Sequence, residues 1–526
     1  MTYDKLAESI GMEPEEWETK VAEYRILGAT EKEEAFNTPT QENDFSIPEV
    51  IELCEVSLNF LAGLLLPNIF KYMYPPFYVS LWDWLKTYVH KERDFSQLAL
   101  GLPRGFSKTL FIKVFICYVV LFTDRKCIFI MGETQKKSER ILADTMLMLS
   151  EPNVVKVFGN WQDNNINDNL NTKNFTFRGR NIALVATIVG AARGINVNNE
   201  RPDIMIFDDI QSKQMAESQL QSETLESDMV GTAMKAKSPH RCLFIFIGNM
   251  YPTKWSILRK LKRNPGWIKV IAGGLLANGE SLWEELQPKE QLLKEFQNDL
   301  LAGRPETFFA EVLNDEYASS NNLIDFKALP ECPYLDEPTH HGNFIIIDPS
   351  NDTVNSDAVA VGYFELFNET PVLKKVTNKT LSPGDTILTA LNYALEFKVN
   401  LVLIESNAYQ YSLCYWFNYI CRQLGITGVE AAPIYSGNRA KNSRILDMFK
   451  ALKAGELFYA PEVAPEVNLQ ISGFNKIKTN NTDGILDLLT YASRVLTEFA
   501  DKLIYATIIE QQEMDLIEVD EFNSPI

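Results

Sequence analysis

The sequence predicts an α/β protein of two domains in series, each carrying its functional residues at the carboxyl edge of a sheet. Three observations predict this. The turn Gly101-Leu102-Pro103-Arg104-Gly105-Phe106-Ser107-Lys108-Thr109 follows a short apolar run and opens an apolar segment, 110–122, long enough for a helix. The apolar stretch 204–207 ends in the paired carboxylates Asp208 and Asp209. From Asn343 the pattern restarts in the order βββαβαβα, with acids at the ends of strands one and four and on a late helix.

Composition sets the frame. A chain of 526 residues is too long for one core, so two or three domains are expected. Its 46% hydrophobic and 23% charged content is that of an ordinary globular protein. The 7 cysteines include no C-x-x-C pair, and of the 4 histidines His340 and His341 are adjacent. A zinc site or disulfide framework is therefore not expected, and a reducing compartment fits. The N-terminus, MTYDKLAESIGMEPEEWETK, is acidic and lacks a signal-peptide pattern. Segment 110–122 is interrupted by Lys113 and is too short to span a bilayer, so no membrane is expected. A net charge of −20 argues against coating nucleic acid with the whole surface and leaves room for a local basic groove.

Taken in order, residues 1–45 are acidic and polar and read as a peripheral arm or small helical cap. Residues 47–66 have helical apolar spacing through Val50, Ile51, Cys54, Leu58, Leu61 and Leu65. Pro75-Pro76 breaks the chain. The aromatic segment 77–89 then either packs on the core or stacks a nucleotide base. Residues 126–131 read as a buried parallel strand ending at Gly132, followed by a helix over 136–150. Residues 153–174 are polar and read as irregular, 175–177 and 181–185 as a hairpin, and 190–194 as a mobile loop. Residues 241–249 form a further buried strand with Gly248-Asn249 at its tip. Lys254, Arg259, Lys260, Lys262 and Arg263 interleave with Trp255, as either a DNA contact or a solvated helix face. Segment 288–314 is helical and charged and reads as a linker.

In the last third, 343–348 is a strand ending in Asp348, and 357–365 and 371–381 complete a meander. A helix over 384–399 leads to strand 401–405, which ends in Glu405. A helix over 411–424, a short strand over 429–435 and a helix over 443–454 follow. Asp483 and Asp487 lie at i and i+4, on one face of a last helix. This order, with its acids, is that of a ribonuclease-H-like nuclease.

Each set of residues suits a specific chemistry. A Gly/Pro turn that ends in Lys-Thr and opens a helix cradles phosphates: backbone N–H groups face them, Lys108 reaches the β/γ oxygens and the Thr109 hydroxyl holds Mg²⁺. The loop departs from the standard pattern, with Ser107 and Leu102 where glycines are usual and Gly105 inside it. Asp208 would hold Mg²⁺ through water and Asp209 orient the attacking water. Asn249, at the tip of its strand, either senses the γ-phosphate and relays hydrolysis or is a plain strand-to-loop exit. In the second domain, two divalent ions about 4 Å apart need several negative oxygens to clamp the attacking water and the leaving oxygen of a phosphodiester. Asp348, Glu405 and Asp483 supply them once the fold gathers them.

An ATPase bearing Pro103-Arg104-Gly105-Phe106-Ser107-Lys108-Thr109, then Arg201-Pro202-Asp203 leading to Asp208-Asp209, then a ribonuclease-H-like nuclease, resembles the large terminase subunit of tailed phages. That subunit is the motor and nuclease that packs DNA into a capsid. The resemblance covers about residues 60–500. It implies a RecA-like P-loop ATPase domain with a parallel sheet, followed by a ribonuclease-H-like α/β nuclease domain. The implied boundaries are 1–60 for an acidic N-terminal helical arm, 61–285 for the motor and 286–335 for a helical linker. The nuclease then occupies 336–500 and an acidic tail 501–526. It implies that Arg104 stabilises the γ-phosphate and that Gly105, Ser107, Lys108, Thr109, Asp208 and Asn249 bind ATP with Mg²⁺. Asp209, where the family often has Glu, leaves open which acid activates the water. Arg193-Gly194 and Phe308-Phe309-Ala310-Glu311-Val312-Leu313-Asn314 also resemble family segments, the second being the one that ends the motor. In the nuclease, the resemblance puts Asp348, Glu405 and Asp483 on two metal ions, Mg²⁺ or Mn²⁺, with Asp357 and Asp487 as auxiliary acids. Implied partners are double-stranded DNA, the portal protein, a small terminase subunit and further copies of the chain in a ring. The implied place is the host cell cytoplasm, transiently on the procapsid portal. The rivals are a DNA translocase or helicase without nuclease activity, an assembly scaffold, and a transposase or integrase.

Overall fold

The computed structural model describes residues 46–195, 197, 200–276, 278–315, 324–335, 340–349, 358–406, 411–435, 439–475 and 481–503. The N-terminal arm to residue 45, Asp357 and the tail beyond 503 lie outside them. The chain forms two compact units. One takes the described residues of Met1–Leu276, Ser281–Pro288 and Glu306–Tyr317; the other takes those of Ala277–Glu280, Lys289–Pro305 and Ala318–Ile526. The stretch read as a linker is thus shared between them.

The first unit is built on an eight-stranded sheet. Its strands are β1 (Gln97–Gly101), β2 (Cys127–Met131), β3 (Asn165–Asn169), β4 (Thr172–Phe177), β5 (Arg180–Thr187), β6 (Ile204–Asp208), β7 (Leu243–Gly248) and β8 (Ile268–Ile271). The order is β3-β4-β5-β2-β6-β7-β1-β8, parallel from β5 to β8 and antiparallel in the β3–β4–β5 edge. β2, β6 and β7 are buried along their whole length, as continuous apolar runs covered on both faces must be. β7 lies between β1 and β6. Its register sets Gly101 opposite Gly248 and Asp208 opposite Ile247, so the phosphate-loop turn, the paired acids and Asn249 leave the sheet at one edge.

The helix Lys108–Phe122 is rich in β-branched and aromatic residues, poor helix formers, and buries nearly all of them. Burial outweighs the propensity. The aromatic helix Pro76–Val89 belongs to the same core. Tyr78, Trp82 and Trp84 are buried, Trp82 sets its ring against Phe111, Phe115 and Tyr118, and the Tyr78 hydroxyl donates to the Phe106 carbonyl. It supports the phosphate loop from beneath and leaves those three rings no free face for a base.

Two local expectations are corrected. The helix read over 47–66 is two helices, Ile47–Val56 and Leu58–Leu65. Ser57 between them is extended, and its hydroxyl accepts from the Phe60 N–H, capping the second helix at the point where it ends the first. The stretch 153–174 is ordered: helix Pro152–Phe158, a 3₁₀ turn at Trp161–Asn164, and β3. Val154, Phe158 and Trp161 anchor it. β3 has no apolar alternation, and an outermost strand needs only backbone pairing to β4. The hairpin that follows turns at Arg178 and Gly179, both at positive φ, as a two-residue turn requires.

Gly274 is a close-approach glycine. A Cβ there would lie 2.8 Å from the Phe106 ring and 3.0 Å from Val312. Gly274→Ala is expected to cost about 1–3 kcal/mol by overpacking. It also shifts Phe106, so the melting temperature should fall, read by thermal unfolding.

The second unit carries a six-stranded sheet of β9 (Gly342–Asp348), β10 (Val359–Phe367), β11 (Thr370–Lys379), β12 (Leu401–Glu405), β13 (Glu430–Ile434) and β14 (Phe458–Tyr459). The order is β13-β12-β9-β10-β11-β14, with β10 antiparallel to both neighbours and the other pairs parallel. This is the ribonuclease-H-like arrangement. Alternation along β9 feeds two cores. Ile345 and Ile347 pack with Leu391 and Phe417. Phe344 and Ile346 pack with Met448, Phe449 and the last helix, Gly484–Glu498.

Candidate active sites

The first site is the carboxyl edge of the eight-stranded sheet. Gly105 at φ +82° and Ser107 at φ +58° bend the loop into left-handed backbone before Lys108 opens its helix. Asp209 is also left-handed, at φ +46°. Non-glycine residues held there are strained, and strain of this kind gathers at functional loops. The Lys108 ammonium, only 9% exposed, donates to Asp209 Oδ1 at 2.9 Å and to Asn249 Oδ1. Thr109 Oγ1 donates to Asp208 Oδ2 at 3.4 Å. Asp208 is buried, and its Oδ1 has no hydrogen-bond partner. Burial and the neighbouring Asp209 carry its carboxyl up to about 7.

That shift has a sign. The folded protein holds a proton on Asp208 that the unfolded chain releases near 3.8, so this group's contribution to stability declines as pH rises from about 4 to about 7. Asp208→Asn is expected to remove part of that decline, read as melting temperature against pH without nucleotide or metal.

Arg104 ion-pairs with Glu311 and is 72% exposed. The Asn249 side chain donates to the Glu311 carbonyl at 2.9 Å. Arg193 is exposed. In the basic segment, Lys254 and Lys260 lie over the Trp255 ring at 4.6 and 5.5 Å, Lys260 also pairs with Glu226, and Lys262 and Arg263 are exposed.

The second site lies at the ends of β9 and β12. These strands run parallel with Ile347 opposite Ile404, so Asp348 and Glu405 emerge side by side. Their carboxyl groups share a hydrogen bond. Desolvation, then that bond and the charge of Glu405, push the Asp348 carboxyl well above the ordinary range. Asp483 and Asp487 are both buried, at the start of helix Gly484–Glu498. Lys441 bridges them, 2.8 Å from Asp483 Oδ1 and 2.6 Å from Asp487 Oδ2. Burial raises Asp487 to about 6 against the pull of Lys441. Burial also works against the Lys441 charge, but Asp487 and Asp483 outweigh it and raise its pKa. Arg444 donates to the Tyr491 hydroxyl at 3.0 Å and lies 3.7 Å from Asp487. Tyr491 in turn hydrogen-bonds Glu405, which raises it further beyond what burial does.

The structure therefore gathers Lys108, Thr109, Asp208, Asp209 and Asn249 in one place, and Asp348, Glu405, Asp483 and Asp487 in another. Sequence reasoning missed Lys441, Arg444, Tyr491, Glu311 and Asn314 as neighbours. Tyr491 had a signal, since it continues the i, i+4 stripe of Asp483 and Asp487, and Glu311 and Asn314 lie in the segment 308–314 already singled out; Lys441 and Arg444 had none.

No protein-family model matches the chain, and no curated protein does. Among solved structures, the large terminase of a thermophilic bacteriophage matches at 13% identity over 77% of this chain and 94% of that one, with a TM-score of 0.28. The human cytomegalovirus terminase nuclease domain matches at 13% identity over 34% of this chain and 98% of that one, TM-score 0.28. The Phi-28 gp11 DNA packaging motor matches at 11% identity over 74% and 96%, TM-score 0.24. The chain is similar to large terminase structures. Sheet order and side-chain geometry, not these scores, carry the reading below.

Both sites fit divalent cations by donor chemistry. Asp208 offers a buried carboxylate oxygen without a partner beside the Thr109 hydroxyl. The second site offers hard oxygen donors, which suit Mg²⁺ or Mn²⁺, and Asp487 Oδ1 there is buried without a hydrogen bond. Among the described residues no three such side chains already enclose an ion position. In the second site an ammonium, Lys441, stands between two of the acids.

Proposed function

We propose that the chain is an ATP-driven motor that moves viral double-stranded DNA into a procapsid. Its second unit cuts concatemeric DNA to start and end packaging. One observation carries this reading: a phosphate-loop lysine among paired acids in one unit, and four acids scattered from 348 to 487 brought together in the other. A helicase or translocase alone has no need of the second set.

In the first unit Lys108 exchanges Asp209 and Asn249 for the β/γ-phosphate oxygens. Asp209, so released, orients the attacking water, and Asn249 reports the γ-phosphate. Thr109 and Asp208 are the residues that would hold Mg²⁺. In the second unit Asp348, Glu405 and Asp483 would hold two divalent ions, with Asp487 beside them. When bound, the ions activate water and stabilise the leaving phosphodiester oxygen. Tyr491 and Arg444 orient Glu405 and Asp487. A translocase must grip every sequence, so contact is with the DNA backbone, and the basic segment around Trp255 is the candidate surface. Portal protein, a small terminase subunit and a ring of copies in the host cytoplasm complete the proposal.

The test is ATP hydrolysis and plasmid cutting on one preparation of the parent chain. Both activities are expected, cutting only with Mg²⁺ or Mn²⁺. ATP hydrolysis stimulated by DNA with no cutting under any divalent metal would leave a translocase without nuclease activity.

A further inference from the structure

Arg104 is held at both ends by one residue. Its backbone N–H donates to the Glu311 carbonyl at 2.8 Å, and its guanidinium donates to the Glu311 carboxylate. Burial of the pair is lopsided: the arginine side chain is 72% exposed and the glutamate 18%. The same Glu311 carbonyl accepts from Asn249, whose Oδ1 accepts from Lys108. Asn314, buried and at φ +48°, ties the segment down by accepting from the Met250 N–H at 3.1 Å and donating to the Ala272 carbonyl at 3.0 Å. Two positive groups facing the phosphate site are thus neutralised by the protein's own acids, Lys108 by Asp209 and Arg104 by Glu311.

We propose that Glu311 is a positioning and specificity-determining residue: its carboxylate competes with the γ-phosphate for Arg104, so that triphosphate must displace a contact that diphosphate leaves in place. The inference rests on the ATPase reading. Lys108 serves β-phosphate oxygens present in both nucleotides, whereas Arg104 gains a partner only from the third phosphate. A guanidinium that is itself 72% exposed makes a salt-screened pair, so a phosphate of higher charge displaces the carboxylate. Exchange leaves the Glu311 carboxylate unpaired at the end of the short helix Pro305–Glu311. That helix lies just before the chain passes into the second unit at Ala318. Nucleotide state is thereby written into this segment.

The experiment is calorimetric binding of a non-hydrolysable ATP analogue and of ADP, each with Mg²⁺, to the full chain. Parent, Glu311→Gln, Arg104→Ala and the double variant are compared. Glu311→Gln is expected to tighten the analogue about three- to fivefold and leave ADP unchanged. In the Arg104→Ala background the same substitution should do nothing, since its target is gone. Equal shifts for both nucleotides, a looser analogue, or an effect that persists without Arg104 would overturn the inference while the ATPase reading stands. A parent that binds neither nucleotide overturns both. High salt supplies a second readout, and the advantage of Glu311→Gln over the parent should shrink as the pair is screened.

Discussion

Lys108→Ala is expected to lower ATP hydrolysis by about 100- to 1,000-fold, the range for removing one preorganised charge from a developing transition state. The structure gives two reasons for the upper end. The ammonium is nearly buried, so its field acts through little water. It is also the cation that pairs with Asp209, and without it two adjacent carboxylates, Asp208 and Asp209, repel each other more strongly. Phosphate release in steady state measures the loss. Plasmid cutting by the same protein should persist, because the other acid cluster lies in a separate unit. A loss of both activities together, with a lowered melting temperature, would instead mean misfolding.

Asp348→Ala is expected to abolish Mg²⁺- or Mn²⁺-dependent cutting while ATP hydrolysis continues at the parent rate. Asp348 ends β9 beside Glu405, and burial together with that neighbouring carboxyl pushes the Asp348 carboxyl well above the ordinary range. Removing Asp348 halves the carboxylate oxygens that the two strand ends offer a cation. Supercoiled plasmid, titrated with each metal, reads the result. Cutting that survives at high Mn²⁺ would move the metal site toward Asp483 and Asp487.

Much of the phosphate-loop edge was legible because its parts are contiguous: an apolar run, a Gly/Pro turn, Lys-Thr, and later an apolar run ending in two acids. Asp348 and Glu405 were legible for the same reason, each closing a buried strand. What did not show were partners that depend on the packing of distant helices. Lys441 and Arg444 open a helix whose sequence reads as an ordinary amphipathic one. Nothing local in Glu311 says that it faces Arg104, 207 residues earlier. β3 and the two-residue β14 were missed because edge strands are held by backbone pairing, which leaves no apolar alternation to read.

The way the chain is shared between its units bears on how it can be dissected. Ala277–Glu280 and Lys289–Pro305 belong with the second unit, while Ser281–Pro288 and Glu306–Tyr317 belong with the first. Helix Lys289–Leu301 buries Leu292 and Phe296 in the second unit, and Lys289 pairs with Glu466 at 3.0 Å. The chain therefore passes between its two units more than once. A fragment begun after 317 forfeits that helix and bares its apolar seat. One begun at 289 keeps it but takes Glu311 and Asn314 away from the first unit.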